Sequence, residues 1–282
     1  MISFVGAGPG AADLLTLRGA ARLADADVVV WASSLVPAEL LRHCRAEATI
    51  HDSATMTLED VLAVYASQAD DTPIVRLHSG DPSLYGAIQE QVDWCAAHDR
   101  EWEVVPGVSS VSAASAAVGR ELTIPGVSQS VVVTRLAGRT AESMPAGEGV
   151  AAYARHGATL AVLLSAARPD ELQQELLAPG SAFGPDTPAA IVVRATWPDE
   201  QVVHTTVGDL AEALRSTGAT MTALVLVGEA LASRGDERRS HLYAPAYTTA
   251  YRLRSDRGTT AGRPSARRTD ASAALTDSPG AG

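Results

Sequence analysis

Short apolar runs alternate with amphipathic stretches through the first half of the chain. Ile2–Val5, Val28–Trp31, Ile74–His78 and Trp102–Val105 read as strands. Val28–Trp31 is continuously apolar, the mark of a strand buried on both faces of a parallel sheet. Between the strands the period changes to that of a helix. Leu14, Leu17, Ala20, Ala21 and Ala24 share one face of Asp13–Ala24. Thr57 is placed to cap a helix carrying Leu58, Val61, Leu62 and Tyr65. Leu84, Ile88, Val92 and Cys95 form a stripe on Ser83–Cys95, and the small residues of Ser109–Val118 form a further helix. The pattern predicts an α/β domain with a mainly parallel sheet over residues 1–119.

The rhythm breaks at Gly119–Gly126, where a Pro-Gly turn precedes a new strand, Ser130–Thr134. A second α/β domain is expected over residues 120–247. Its strands are Leu160–Leu164, Ala190–Val193, Gln201–Thr206 and Ala223–Val227, and its helices Pro169–Leu177 and Asp209–Arg215. Strands spaced this closely call for a mixed sheet, with a ligand cleft between the two domains. Residues 248–282 are rich in Ser, Thr, Gly, Ala, Pro and Arg without periodicity, so a disordered tail is expected.

Composition narrows the chemistry. Aromatic residues are 4% of the chain, so the core must come from Val, Leu, Ile and Ala. The formal net charge of -11 argues against a nucleic-acid partner, whose phosphates demand a basic face. All 22 basic residues are Arg, which excludes Schiff-base lysine chemistry and a Walker-A lysine. Cys44 and Cys95 form no disulfide framework. His43, His51, His98, His156, His204 and His241 show no metal-ligand spacing, and no metal site is expected. The apolar start is too short for a signal peptide and no stretch reaches membrane-spanning length, so no membrane association and a cytoplasmic location are expected.

Three strands run directly into glycine turns. The first turn, Gly6-Ala7-Gly8-Pro9-Gly10, satisfies the loose dinucleotide pattern G-x-G-x-x-G/A through Gly6, Gly8 and Ala11. Against a dinucleotide, Pro9 lacks an N–H, and Val28–Trp31 ends in Ala32-Ser33-Ser34 with no acid for a ribose hydroxyl. A tight turn that needs glycine only for its backbone angles stays open. The second turn, Ser79-Gly80-Asp81-Pro82, reads either as a helix start, with Asp81 as cap and Pro82 at the first position, or as a ligand-lining loop. The third is Val105-Pro106-Gly107-Val108-Ser109-Ser110, which packing alone could also explain. Carboxyl ends of parallel strands share one side of a sheet, so the three turns can converge.

Together these turns resemble the tetrapyrrole methylases, the cobalamin-type family that uses S-adenosylmethionine. The likeness is carried in order by Gly6–Gly10, Leu14-Leu15-Thr16, Ala26-Asp27-Val28-Val29, Gly80-Asp81-Pro82 and Val105–Ser109, and spans roughly the first 240 residues. Ala32–Val36, His51–Glu59, Arg76–Gly86, Val127–Gln129, Thr134-Arg135 and Gly138–Thr140 resemble the branch that methylates C11 of precorrin-4 or its cobalt form. A sibling methylase acting at another ring carbon, a nicotinamide-dependent oxidoreductase and a catalytically silent tetrapyrrole binder are the alternatives.

The resemblance implies that Pro9, Ser79, Gly80, Asp81, Leu84, Ser109 and Ser110 border the methyl donor. From the second domain it implies Leu164, Ala195 and Ala223. It also implies a carboxylate-rich tetrapyrrole substrate and a homodimer. An acidic substrate on an acidic protein calls for arginines gathered at the cleft; Arg76, Arg135, Arg139 and Arg194 are the candidates, with Ser33 beside them, while each also reads as a solvated surface charge, Arg194 above all. His78 and Tyr85 are the candidates for proton transfer, although a lone His is more often structural. Family members acting on uroporphyrinogen carry an acid and a lysine for that purpose. Here Ala32 or Ser33 stands at the acid's place and the chain has no lysine, so that relay does not carry over.

Overall fold

The computed structural model describes residues 1–137, 141–145 and 147–232, together with Ser240, Ala244, Pro245, Tyr247 and Thr248. The chain divides into two units, Met1–Ser233 and Arg234–Gly282. The first contains every strand and helix described below; apart from Thr248, the expected tail lies outside the described residues.

The first sheet is built from β1 (Ile2–Gly6), β2 (Val28–Trp31), β3 (Thr49–Asp52), β4 (Ile74–His78) and β5 (Trp102–Val105). Its order is β3-β2-β4-β1-β5 and every pairing is parallel. Alternate side chains go to opposite faces. Val5, Val29, Val75 and Leu77 pack under α1 (Leu17–Asp25), with Leu23 and Leu40. Ile2, Phe4, Val28, Val30 and Ile74 pack against α2 (Leu58–Ala66) and α3 (Gln89–Ala97), with Tyr65 and Cys95. Inside this layer the Tyr65 hydroxyl donates to Gln91 Oε1 at 2.8 Å.

After α4 (Ser110–Val118) comes the second sheet. It contains β6 (Val131–Arg135), β7 (Thr159–Leu163), β8 (Pro188–Val193), β9 (Gln201–Thr206) and β10 (Ala223–Val227), in the order β6-β7-β10-β8-β9. β6 and β7 are parallel and the other pairs antiparallel, giving the mixed sheet expected. One face is covered by α5 (Val150–Ala154), α6 (Pro169–Leu176) and α7 (Leu210–Ser216). The other receives α4, whose Val111 and Ala114 lie on Ala161, Ala190, Val192, Leu224 and Leu226. The alanine-rich α4 therefore joins the front half to the second sheet. Among the described residues no helix is long and apolar enough to cross a membrane.

Two helices differ from the sequence expectation. The first does not begin at Asp13. Ala12–Leu14 is a separate 3-10 turn, and Thr16 caps the helix by accepting from Gly19 N at 3.1 Å, leaving Leu17 92% exposed. The helix expected from Ser83 begins only at Gln89. Tyr85 (φ 59°) and Ala87 (φ 49°) are left-handed and break the turn before it can propagate, so Leu84 leaves the stripe and is exposed. The cap at Thr57 forms as read, and Asp60 completes it as a capping box.

Candidate active site

The three glycine turns leave the carboxyl ends of three neighbouring strands, β4, β1 and β5, and meet. Gly8 and Gly80 form an antiparallel bridge: Gly80 N donates to Gly8 O at 2.8 Å and Gly8 N to Gly80 O at 3.2 Å. Ala7 N donates to His78 O at 2.7 Å. A β-carbon on Gly6 would stand 2.5 Å from Gly107 Cα and 2.7 Å from Gly80 O. Glycine is required here because three backbones touch. The loops are one junction, and Gly6 and Gly8 face protein, not a phosphate.

Asp81 ties this junction. Its carboxylate accepts from Gly107 N at 2.9 Å on one oxygen, and from Ser83 N at 2.8 Å and the Ser83 hydroxyl on the other. Burial alone would push this carboxyl up; the hydrogen bonds from Ser83 and Gly107 outweigh it and hold the pKa below the usual carboxylate value. A depressed pKa adds stability above the unfolded value, which is lost as pH falls through the folded one. Asp81→Asn is therefore expected to cost about 1–3 kcal/mol near neutral pH, because one of these donors loses its acceptor. Its stability should also fall less steeply than the wild type's below about pH 4. Urea unfolding across pH checks both; parallel acid limbs would contradict the assignment.

Beside the junction lies a cavity of about 320 Å³. Pro9, Ser79 and Ser110 reach it from the front half; Leu163, Leu164, Arg194, Ala195, Met221 and Ala223 are among those that face them from the second sheet. Volume and largely apolar lining are those of a small-molecule pocket. Of the residues expected around a donor, Pro9, Ser79, Ser110, Leu164, Ala195 and Ala223 line it. Gly80, Asp81, Leu84 and Ser109 do not: Gly80 and Asp81 hold the junction, Leu84 is exposed, and Ser109 caps α4 by accepting from Val111 N at 3.2 Å.

The wall from the second sheet is shaped by unusual backbone. Leu164 (φ 54°), Arg194 (φ 50°) and Thr222 (φ 53°) all line the cavity in the left-handed region, where non-glycine residues are strained. They sit where β7 and β8 end and β10 begins. Arg194 N donates to Thr222 O at 2.8 Å, holding two of them together. Leu164 (67% exposed) and Met221 (66% exposed) also line this wall.

Of the other candidates among the described residues, only Arg194 lines the cavity. Arg76 donates to Val30 O (3.2 Å) and Ser53 Oγ (2.9 Å). Ser33 N donates to Asp52 Oδ1 at 3.2 Å, so a carboxylate does stand near the carboxyl end of β2, supplied by β3. His78 is 6% exposed and faces Phe4, with ring centroids 6.2 Å apart. Burial, with Arg76 adding to it, pushes its pKa down to about 3, so the imidazole is neutral at physiological pH. Tyr85 is half exposed; burial raises its hydroxyl, Arg135 opposes that, and Tyr153 and Glu148 are its other charged or titratable neighbours. Arg194 is engaged by Asp199 (2.7 Å) and lies over the Trp197 ring. Arg139 lies outside the described residues.

Residues 1–211 match the family model for tetrapyrrole (corrin/porphyrin) methylases. The chain belongs to this family. Over 256 residues the methylase is 43% identical to a precorrin-4 C(11)-methyltransferase of Sinorhizobium sp, covering 90% of this chain and 99% of that protein. It is 42% identical over 231 residues to a cobalt-precorrin-4 C(11)-methyltransferase of Methanocaldococcus jannaschii (82% and 88% covered). The crystal structure of a cobalt-precorrin-4 methyltransferase superposes with a TM-score of 0.77 at 40% identity, covering 82% of this chain and 95% of that one. A uroporphyrin-III C-methyltransferase of Thermus thermophilus, complexed with S-adenosylhomocysteine, superposes with a TM-score of 0.66 at 30% identity (82% and 93% covered).

Several lining residues of the methylase escape sequence reading. Leu35, Leu163, Trp197, Met221 and Thr222 all reach the cavity. The Trp197-Pro198-Asp199-Glu200 turn reads as surface, and Met221 and Thr222 precede a strand whose own pattern is ordinary core. The one available signal was position: each lies within about one turn of a strand end on the side where the glycine loops emerge.

Proposed function

We propose that the chain is an S-adenosyl-L-methionine-dependent methyltransferase that methylates C11 of precorrin-4, or of its cobalt form, in corrin synthesis. The observation that supports the donor site is the cavity where Pro9, Ser79 and Ser110 face Leu164, Ala195 and Ala223. An apolar, partly enclosed space with a few hydroxyl and backbone groups suits an adenosyl moiety. When bound, S-adenosyl-L-methionine supplies a methyl group on a sulfonium that leaves as a neutral thioether. The protein's part is to hold donor and acceptor in line and to exclude water; such positioning is worth about 7–11 kcal/mol in favourable systems. No lysine exists to relay a proton, and the buried neutral His78 is outside the cavity lining. Arg76 and Arg135, with Arg139, are the groups we assign to the substrate's carboxylates; Arg194 already holds Asp199. We take the enzyme to be a cytoplasmic homodimer, in keeping with the resemblance read from its loops.

Incubation with methyl-labelled donor and either precorrin-4 or the cobalt form, followed by NMR of the product, tests the reading. Label at C11 is expected. Label at another ring carbon would make it a sibling methylase, and donor binding without any transfer a silent tetrapyrrole binder.

A further inference from the structure

The first glycine turn is fastened to the opposite wall of the cavity. Trp197 Nε1 donates to Pro9 O at 3.0 Å, and Ala11 N donates to Thr196 Oγ1 at 2.9 Å. The indole is held from behind by Arg194, whose guanidinium carbon lies 4.0 Å from the ring centroid. Arg194 is in turn fixed by Asp199, and Thr196 N by Glu200 Oε2 at 2.6 Å. Arg194 (φ 50°) and Thr196 (φ 68°) are both left-handed, and for a β-branched threonine that is a genuine outlier. Strain of this kind persists only where surrounding contacts enforce it. Gly10 lies under the ring: a β-carbon there would overlap Trp197, although the Gly10 backbone is in an ordinary conformation. Trp197 lines the 320 Å³ cavity and also a second, more open one that includes Gly10. It is the partition between them.

We propose that Trp197 is a positioning residue for the methyl donor: it latches the Pro9–Gly10 turn to the 194–200 loop and so fixes the separation of the two walls that grip the donor. Gly10 is the position that admits the latch. The proposal rests on the reading that the 320 Å³ cavity takes the donor. Its particular consequence is that Gly10, which does not line that cavity, acts on donor affinity through Trp197.

Calorimetric titration of the purified protein with S-adenosylhomocysteine tests this on the wild type, Trp197→Phe, Trp197→Ala, Gly10→Ala and the double variant Gly10→Ala/Trp197→Ala, with thermal unfolding run on each. Trp197→Ala is expected to weaken binding tenfold or more. Trp197→Phe, which keeps a ring over Arg194 but loses the bond to Pro9, should fall between it and the wild type. Gly10→Ala should weaken binding at least fivefold. In the Trp197→Ala background the same methyl should cost less than twofold, since of its three nearest atoms only Thr196 Oγ1, at 3.0 Å, then remains. Wild type that binds no S-adenosylhomocysteine would overturn the donor reading and the latch with it. Wild type that binds, with Gly10→Ala unaffected or equally harmful in both backgrounds, would overturn the latch alone. If Trp197→Ala fails to fold, Trp197→Phe and Gly10→Ala, which each change few atoms, are compared with the wild type alone, and unchanged affinity in either would overturn the latch.

Discussion

Gly107→Ala is expected to destabilise the protein by about 3 kcal/mol or more and to abolish donor binding at any concentration where the wild type is half saturated. The added β-carbon would overlap Gly80 O and stand 2.8 Å from Gly6 Cα and 3.0 Å from Gly6 C. All three are backbone atoms, so no flexible side chain can move aside. Relief requires pulling β5 or its loop away from β1 and β4, which breaks the Asp81 contact to Gly107 N and shifts Ser79 and Ser110, both of which line the cavity. Gly119→Ala is the matched control. Gly119 ends α4 with φ 69° and a β-carbon there meets nothing within 4 Å. It bears only the left-handed penalty, about 1–2 kcal/mol. Urea unfolding of the two variants side by side separates crowding from backbone preference. Equal losses would mean that the three-loop junction is looser than its geometry.

The contrast between these glycines marks what the sequence could reveal. The junction was legible because its signals are local: strand, glycine, helix, three times over, on strands that a parallel sheet must align. The apolar runs of β1, β2 and β4 were legible for the same reason, since these strands are largely buried on both faces. β3 was not. Three of the four residues in Thr49–Asp52 are exposed, so this edge strand has no hydrophobic period, yet it carries Asp52 to Ser33. What Asp81 ties together was hidden in a different way. An Asp before a Pro is a common helix start, and only the fold shows that its oxygens reach 26 positions along the chain to Gly107 N. The second wall was hardest to read. Leu164, Arg194 and Thr222 adopt backbone angles that their residue types disfavour, so no propensity points to them. The bond from Trp197 Nε1 to Pro9 O likewise joins residues 188 positions apart.

Ala195→Phe isolates the cavity from the fold that makes it. Ala195 packs partly against the layer formed by α4 and the second sheet, and lines the 320 Å³ space on its other side. The packed side holds Val192, Leu224 and their neighbours at core density, which leaves no room for a benzyl group. The cavity does have room, so the ring is expected to enter it and fill the space that an adenosyl group would need. The steric cost then falls on the ligand and hardly at all on the protein. S-adenosylhomocysteine affinity should fall at least 100-fold, about 2.7 kcal/mol, while the thermal midpoint stays level or rises as an apolar void is filled. Loss of affinity together with a large drop in midpoint would mean that the ring had been forced into the core. Retained affinity in a stable variant would mean that the donor lies elsewhere, because a ligand and a phenyl ring cannot share a space of that size.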